Sequence, residues 1–300
     1  MGYGIHAQAV SEVKRQNLHS RFKISVKYSV FLLLLCAVLL TCSAGGCGEP
    51  AGTDSPEKKY GIFIGAEPGQ NQPFSDYSII VIDAAYFSKS DIDRFHEEGL
   101  KVYSYLNIGS LEDFRGYFED YRHLALGEYN YWPGEYWADV SSEEWQNLVY
   151  KQAELLVSKG IDGFFADNAD VYFQFRNKQI YDGLITIFVQ LSRYNKDIII
   201  NGADVFVTEA LLENDHPEIK ITGISQECVF TDIDFENMQP VLQSAENKEY
   251  YQMYIAKCRI KGLQVCLIEY CTDEELIHEI KQFCTLSGCS CYISPSAELK

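Results

Sequence analysis

The sequence predicts an α/β protein, a single (β/α)8 TIM barrel, and three observations point there. From Tyr60 onward, short apolar runs alternate with amphipathic stretches, the pattern of strands and helices that builds a parallel sheet. The main runs number eight, enough to close the sheet. Five of those eight end in a carboxylate, and a closed barrel gathers such ends on one face. The chain has 300 residues, and one barrel needs about 250.

In order, the predicted strands are Tyr60–Gly65, Ser78–Asp83, Lys101–Gly109, Tyr136–Val140, Ile161–Asp167, Asp197–Asn201, Ile221–Glu227 and Gln264–Tyr270. A ninth segment, Cys291–Ser294, reads as a closing or edge strand. The stretches SKSDIDRFHEEG, SSEEWQNLVYKQAELLVSKG and TDEELIHEIKQFCTLSG read as helices. Ser88 or Ser90, Ser141, and Thr272 or Asp273 are candidate N-caps; Gly99, Gly160 and Gly288 are candidate stops. An open doubly wound sheet is the competing topology. No motif recurs at a fixed period, which argues against a solenoid.

The N-terminus reads as an address. Lys14 to Lys27 carries five positive charges, Val30–Leu40 is almost unbroken apolar sequence, and Ser43-Ala44-Gly45-Gly46 precedes Cys47. A basic region, a short apolar run and small residues make a secretory signal. The run is too short for a membrane span of about 20 residues. AGGC resembles a bacterial lipobox, with Cys47 as the lipidated residue. The expected organisation is a signal over 1–47, a polar tether over 48–58 and the barrel over 59–300. Export to a membrane-anchored lipoprotein is expected, or secretion if Cys47 is not lipidated.

Net charge is −18, and −22 without the first 47 residues. Such a body repels nucleic acid and attracts polycations. There is no phosphate-binding loop and no basic patch. Seven cysteines fall in the last quarter (Cys228, Cys258, Cys266, Cys271, Cys284, Cys289 and Cys291). An exported context permits a disulfide among Cys284, Cys289 and Cys291. Their spacing matches no zinc site. With 21 Tyr, 17 Phe and 3 Trp, the chain is rich in rings that can pack in a core or stack on sugar.

The carboxylates that end strands are Asp83, Asp139, Asp167, Glu227 and Glu269, with Asp170 three residues past Asp167. Each alone could cap a helix. Five together repel one another and resist desolvation, so a site that collects them uses them: on a cation, on a metal, or as an acid/base pair.

At these residues the chain resembles glycoside hydrolase family 114, the endo-α-1,4-polygalactosaminidases. The resemblance covers about residues 60–295. It rests on the ordered motifs VYSYLNIGSLEDFR (102–115), YWPGEYWADV (131–140), KGIDGFFADNADVY (159–172), IINGAD (199–204), ISQECVF (224–230) and LIEY (267–270). It implies a (β/α)8 barrel, hydrolysis of α-1,4-linked galactosamine chains without a cofactor, and Asp167 and Glu227 as the catalytic pair. The first strand, GIFIGAEP, lacks the Gln often found there. A two-carboxylate mechanism then expects Asp167 as nucleophile, Glu227 as acid/base with a raised pKa, and a retained anomer. Asp83, Asp139, Asp170 and Glu269 are expected to pair with substrate ammonium groups. Tyr105, Trp132, Trp137, Tyr172 and Tyr270 are candidate stacking platforms. Asn107, Asn168 and Asn201 are candidate hydrogen-bond partners. Rival readings are another amino-sugar polymer as substrate, a divalent-metal hydrolase built on Asp167 and Asp170, and a non-catalytic sugar-binding barrel.

Overall fold

A computed structural model describes residues 59–70, 73–130, 132–214, 216–237, 239–297 and 299. The expected signal, Cys47 and the whole of the expected tether lie outside the described residues.

Eight parallel strands form the barrel. They are drawn from thirteen strands among the described residues, in chain order: β1 Tyr60–Phe63, β2 Ile79–Ile82, β3 Lys101–Asn107, β4 Ser110–Glu112, β5 Ala125–Glu128, β6 Glu135–Ala138, β7 Gly163–Asp167, β8 Asp197–Asn201, β9 Gly223–Glu227, β10 Thr231–Asp234, β11 Gln239–Leu242, β12 Gln264–Tyr270 and β13 Ser290–Ser294. The sheet order is β1-β2-β3-β7-β8-β9-β12-β13. The ends of this row come together where Phe63 on β1 meets Tyr292 on β13 edge to face, 5.6 Å between centroids.

One expectation about strands needs correction. Tyr136–Val140 is not a barrel strand: β6 pairs antiparallel with β4 and β5 in a separate three-stranded sheet that follows β3. In the ring β3 pairs directly with β7, and the eighth strand is β13, the segment expected to close or edge the sheet, parallel to β12. Both segments are short apolar runs, and only long-range pairing separates a local hairpin strand from a barrel strand. A second departure from the repeat is the antiparallel hairpin β10–β11 after β9.

The main helices are α1 Lys89–Glu97, α2 Glu143–Lys159, α3 Lys178–Ser192, α4 Ala245–Ile260 and α5 Glu274–Ser287. Ser88 and Asp91 close a reciprocal capping box on α1, satisfying two otherwise unpaired N–H groups. Asp273 caps α5, and Gly160 ends α2 with φ +100°, a left-handed turn that favours glycine. Ser142, not Ser141, occupies the cap position of α2.

Ile80, Ile82, Phe164, Ile198, Ile200, Ile224 and Leu267 are fully buried. A parallel sheet is covered on both faces, so its strands read as continuous apolar runs. All seven described cysteines are free thiols, so the expected disulfide is not formed; Cys258, Cys266, Cys284 and Cys289 are buried.

Candidate functional site

Strand register decides which side chains reach the mouth. Asn107 lies beside Asp167, Phe165 beside Ile199, Asn201 beside Ser225, and Ile268 beside Glu227. Side chains alternate faces with period two, so Asn107, Asp167, Asn201, Glu227 and Tyr270 share the inner face. Glu269 falls on the other.

Asn201 joins the two acids of interest. Its amide nitrogen donates to Asp167 Oδ1 at 3.0 Å and to Glu227 Oε1 at 2.7 Å. Those lengths cap the separation of the two oxygens at about 5.7 Å. Tyr270 donates its hydroxyl to the other oxygen of Glu227 at 2.5 Å. Burial pushes the Asp167 carboxyl well above the usual carboxylate range, and the charge of Glu227 adds to the effect; the Asn201 bond works against it, while Glu135 and Asp170 raise it further. The raised pKa thus falls on the residue expected to be the nucleophile.

A second cluster lies beside this pair. Ser110 Oγ accepts from Asn107 at 2.7 Å and from Asn168 at 3.0 Å, and donates to Glu135. Asn168, held at φ +67°, also donates to Glu135 at 3.1 Å. Gly109 makes this possible: a Cβ there would sit 1.8 Å from the Asn168 carbonyl oxygen. Burial raises the Glu135 carboxyl, opposed by its hydrogen bond from Ser110. Tyr129 lies within electrostatic reach of the same acids. Burial raises its pKa, and the charges of Asp170, Asp167, Glu135 and Glu227 raise it further. Asp170 accepts from Ala203 N at 3.1 Å and lies against Gly202, whose φ is +61°.

The other expected site acids have protein partners. Asp83, 4% exposed, forms an ion pair of 2.8 Å with Arg115, which also grips Glu112 at 2.7 Å. Tyr105 donates to Glu112 at 3.4 Å and lies under the Arg115 guanidinium, 5.9 Å from it. Glu269 is fully buried and accepts from the N–H groups of Val229, Phe230 and Thr231 and from the Thr231 hydroxyl. Burial pushes its carboxyl up to about 7 against those donors. Asp139 accepts from Ser141 N and Oγ, local contacts at the entry to α2.

The expected aromatic platforms divide in the same way. Trp137 is buried with one face stacked on Tyr129, 3.9 Å between centroids. Tyr172 is buried and donates to Glu209 at 2.6 Å. Tyr270 positions Glu227 through its hydroxyl. Trp132 is 38% exposed and meets Phe235 edge to face at 6.1 Å. Among the described residues, no three Asp, Glu, His or Cys side chains gather in a metal-binding group.

Sequence reasoning missed Glu135, Tyr129 and Arg115. Glu135 could have been found: it precedes Trp137 by two residues, so it shares that residue's face of β6.

Comparisons with known proteins bear on the fold and the family. An uncharacterized protein of Thermotoga maritima is 28% identical over 102 residues, 32% of each chain. One of Methanocaldococcus jannaschii is 23% identical over 220 residues, 66% of this chain and 62% of that one. The matched stretches thus span less than two thirds of these curated relatives. Among solved structures, the fold resembles the glycoside hydrolase domain of PelA from Pseudomonas aeruginosa, with TM-score 0.68 and 17% identity over 80% of this chain and 95% of that one. It also resembles Aspergillus fumigatus Ega3 in complex with galactosamine, with TM-score 0.62 and 19% identity over 85% and 98% of the two chains. Residues 49–294 match a family model across most of the sequence: the chain belongs to glycoside-hydrolase family GH114.

Proposed function

We propose that this protein is an exported glycoside hydrolase that cleaves α-1,4-linked galactosamine polymers internally, using Asp167 and Glu227, with retention of the anomeric configuration. The observation that carries this reading is the Asn201 amide joined to both carboxylates. Retaining enzymes hold their two carboxyl groups about 5–5.5 Å apart, and inverting enzymes about 6.5–9.5 Å. A cap of about 5.7 Å favours the retaining class. The galactosamine bound to Ega3 and the acidic body of this chain support a cationic amino sugar as substrate. The basic, apolar and small-residue segments before Cys47 support export with lipid anchoring at that residue.

In this mechanism Asp167 attacks the anomeric carbon while Glu227 protonates the leaving oxygen. Glu227 then takes a proton from the water that releases the sugar. Burial and the neighbouring carboxylates favour protonated Asp167 at rest, the reverse of what a nucleophile needs. An ammonium group entering beside Asp167, Glu135 and Asp170 favours ionised Asp167. A charged amino sugar thus helps to set the protonation state that cleaves it. Asn201 keeps the two carboxyls in register throughout.

The test is incubation with partly deacetylated α-1,4-galactosamine polymer, following new reducing ends. We expect cleavage by the wild type and a loss of at least about a thousandfold in Asp167→Asn and Glu227→Gln, the scale seen when a residue of a catalytic unit is removed. NMR of the first product should show the α anomer. A first-formed β anomer, or undiminished cleavage by either variant, overturns the proposal.

A further inference from the structure

Two excursions from the barrel touch at their tips. The first is the three-stranded sheet that follows β3; the second is the β10–β11 hairpin that follows β9. In the ring of strands, β7 and β8 lie between β3 and β9, and they carry Asp167 and Asn201 at their ends. A link from one excursion to the other therefore crosses the mouth above the reacting pair. The link is the edge-to-face contact of Trp132 with Phe235.

Both tips are built turns. On the first, Tyr129 N donates to Glu135 O at 2.8 Å, Trp132 N to Tyr129 O at 3.2 Å, and Glu135 N to Trp132 O at 3.1 Å. Tyr129 is fixed by its stack on Trp137 and lies within electrostatic reach of Asp167, Glu135, Asp170 and Glu227. This turn is thereby placed at the cleft, with Trp132 further out along it. On the second tip, Asp234 accepts from Asn237 N at 3.2 Å through its carbonyl, from Glu236 N at 3.0 Å and from the Asn237 side chain at 2.7 Å. Phe235 stands on that turn.

We infer that Trp132 and Phe235 form an aromatic strap across the mouth, and that a polymer chain lies beneath it with sugar faces against the rings. Aromatic rings suit this task because their apolar faces cover sugar C–H groups without desolvating hydroxyls. The strap spans from the excursion after β3 to the one after β9, so it also covers sugars that the reacting pair does not touch. Its contribution grows with chain length, and an internal stretch of polymer enters only when the rings part. The inference rests on the amino-sugar reading above for the identity of the chain, but not for the contact of the rings.

The experiment uses Asp167→Asn as background, so that ligand survives. Calorimetric titration with α-1,4-galactosamine heptamer and dimer is compared before and after Phe235→Ala. We expect the heptamer dissociation constant to rise about tenfold and the dimer constant to change less than twofold. Trp132→Phe, which keeps a ring, should stay within about threefold for the heptamer. Equal losses for both ligands, or no loss for the heptamer, overturn the strap. Should neither ligand bind before Phe235→Ala, the substrate reading fails, and the strap is judged by Trp132 fluorescence in the free protein. Phe235→Ala should then shift the emission to the red, with no such shift when Trp132→Phe is also present. An unchanged spectrum overturns it.

Discussion

The β7–β9 arc of the mouth and the β2–β3 arc carry the same kind of side chain and employ it in opposite ways. On the β2–β3 side, Asp83 and Glu112 are locked by Arg115. A carboxylate with a buried guanidinium partner is part of the framework, and the pair resists removal of either member. On the β7–β9 side, Asp167 and Glu227 share only a neutral amide. Nothing cationic among their hydrogen-bond partners neutralises them, and like-charge repulsion with burial raises Asp167. The lesson is that acidity at a strand end does not mark a working group. Under the proposed function the working acids are the two without a cationic hydrogen-bond partner, an arrangement that would suit a cationic substrate.

That contrast can be broken in several ways. The largest effect is expected on the paired side: Arg115→Ala leaves two buried carboxylates unpaired and should destabilise the fold by about 3–5 kcal/mol, measured by urea denaturation. Asp167→Asn removes repulsion and should leave stability equal or higher while abolishing cleavage. If Asp167→Asn unfolds the protein and Arg115→Ala does not, the division of labour is wrong.

A smaller effect is expected from Asn201→Ala. Loss of one positioned donor typically lowers kcat by about 10²–10³. Its hydrogen bond lowers the Asp167 pKa, so removal raises that pKa further. The acidic limb of the pH–rate profile, which follows ionisation of Asp167, should move to higher pH. An unmoved limb would show that Asn201 does not act on Asp167.

The smallest effect concerns Glu269, whose carboxyl is pushed up to about 7 from 4.5. The folded state then binds more protons than the unfolded state between those values, so this group's contribution to stability falls as pH rises from about 4.5 to 7. Melting temperatures across that window should decline more steeply in the wild type than in Glu269→Gln. Parallel slopes would contradict the raised value.

Much of this was legible in the sequence. The barrel followed from alternation of apolar runs with helices; strand ends supplied five acids alike, and only the family resemblance singled out Asp167 and Glu227 among them. What stayed hidden depends on pairing across long distances. The apolar stretch at Tyr136 reads like any barrel strand, and only its antiparallel partners β4 and β5 remove it from the ring. Glu269 and Tyr270 are adjacent, and register with β9 alone decides that the tyrosine, not the acid, faces Glu227. Arg115 sits in a loop with no periodicity to announce it, yet it decides that Asp83 is held by the protein.

The central claim is that Asp167 attacks the sugar under the control of Glu227, and trapping the covalent intermediate tests it most directly. Glu227→Gln cannot activate water efficiently, but an α-galactosaminyl fluoride needs no protonated leaving group. After mixing the two, peptide mass spectrometry should find one galactosamine residue on the peptide that contains Asp167. A sugar on any other carboxylate, or none at all while fluoride is released with inversion, would contradict the account.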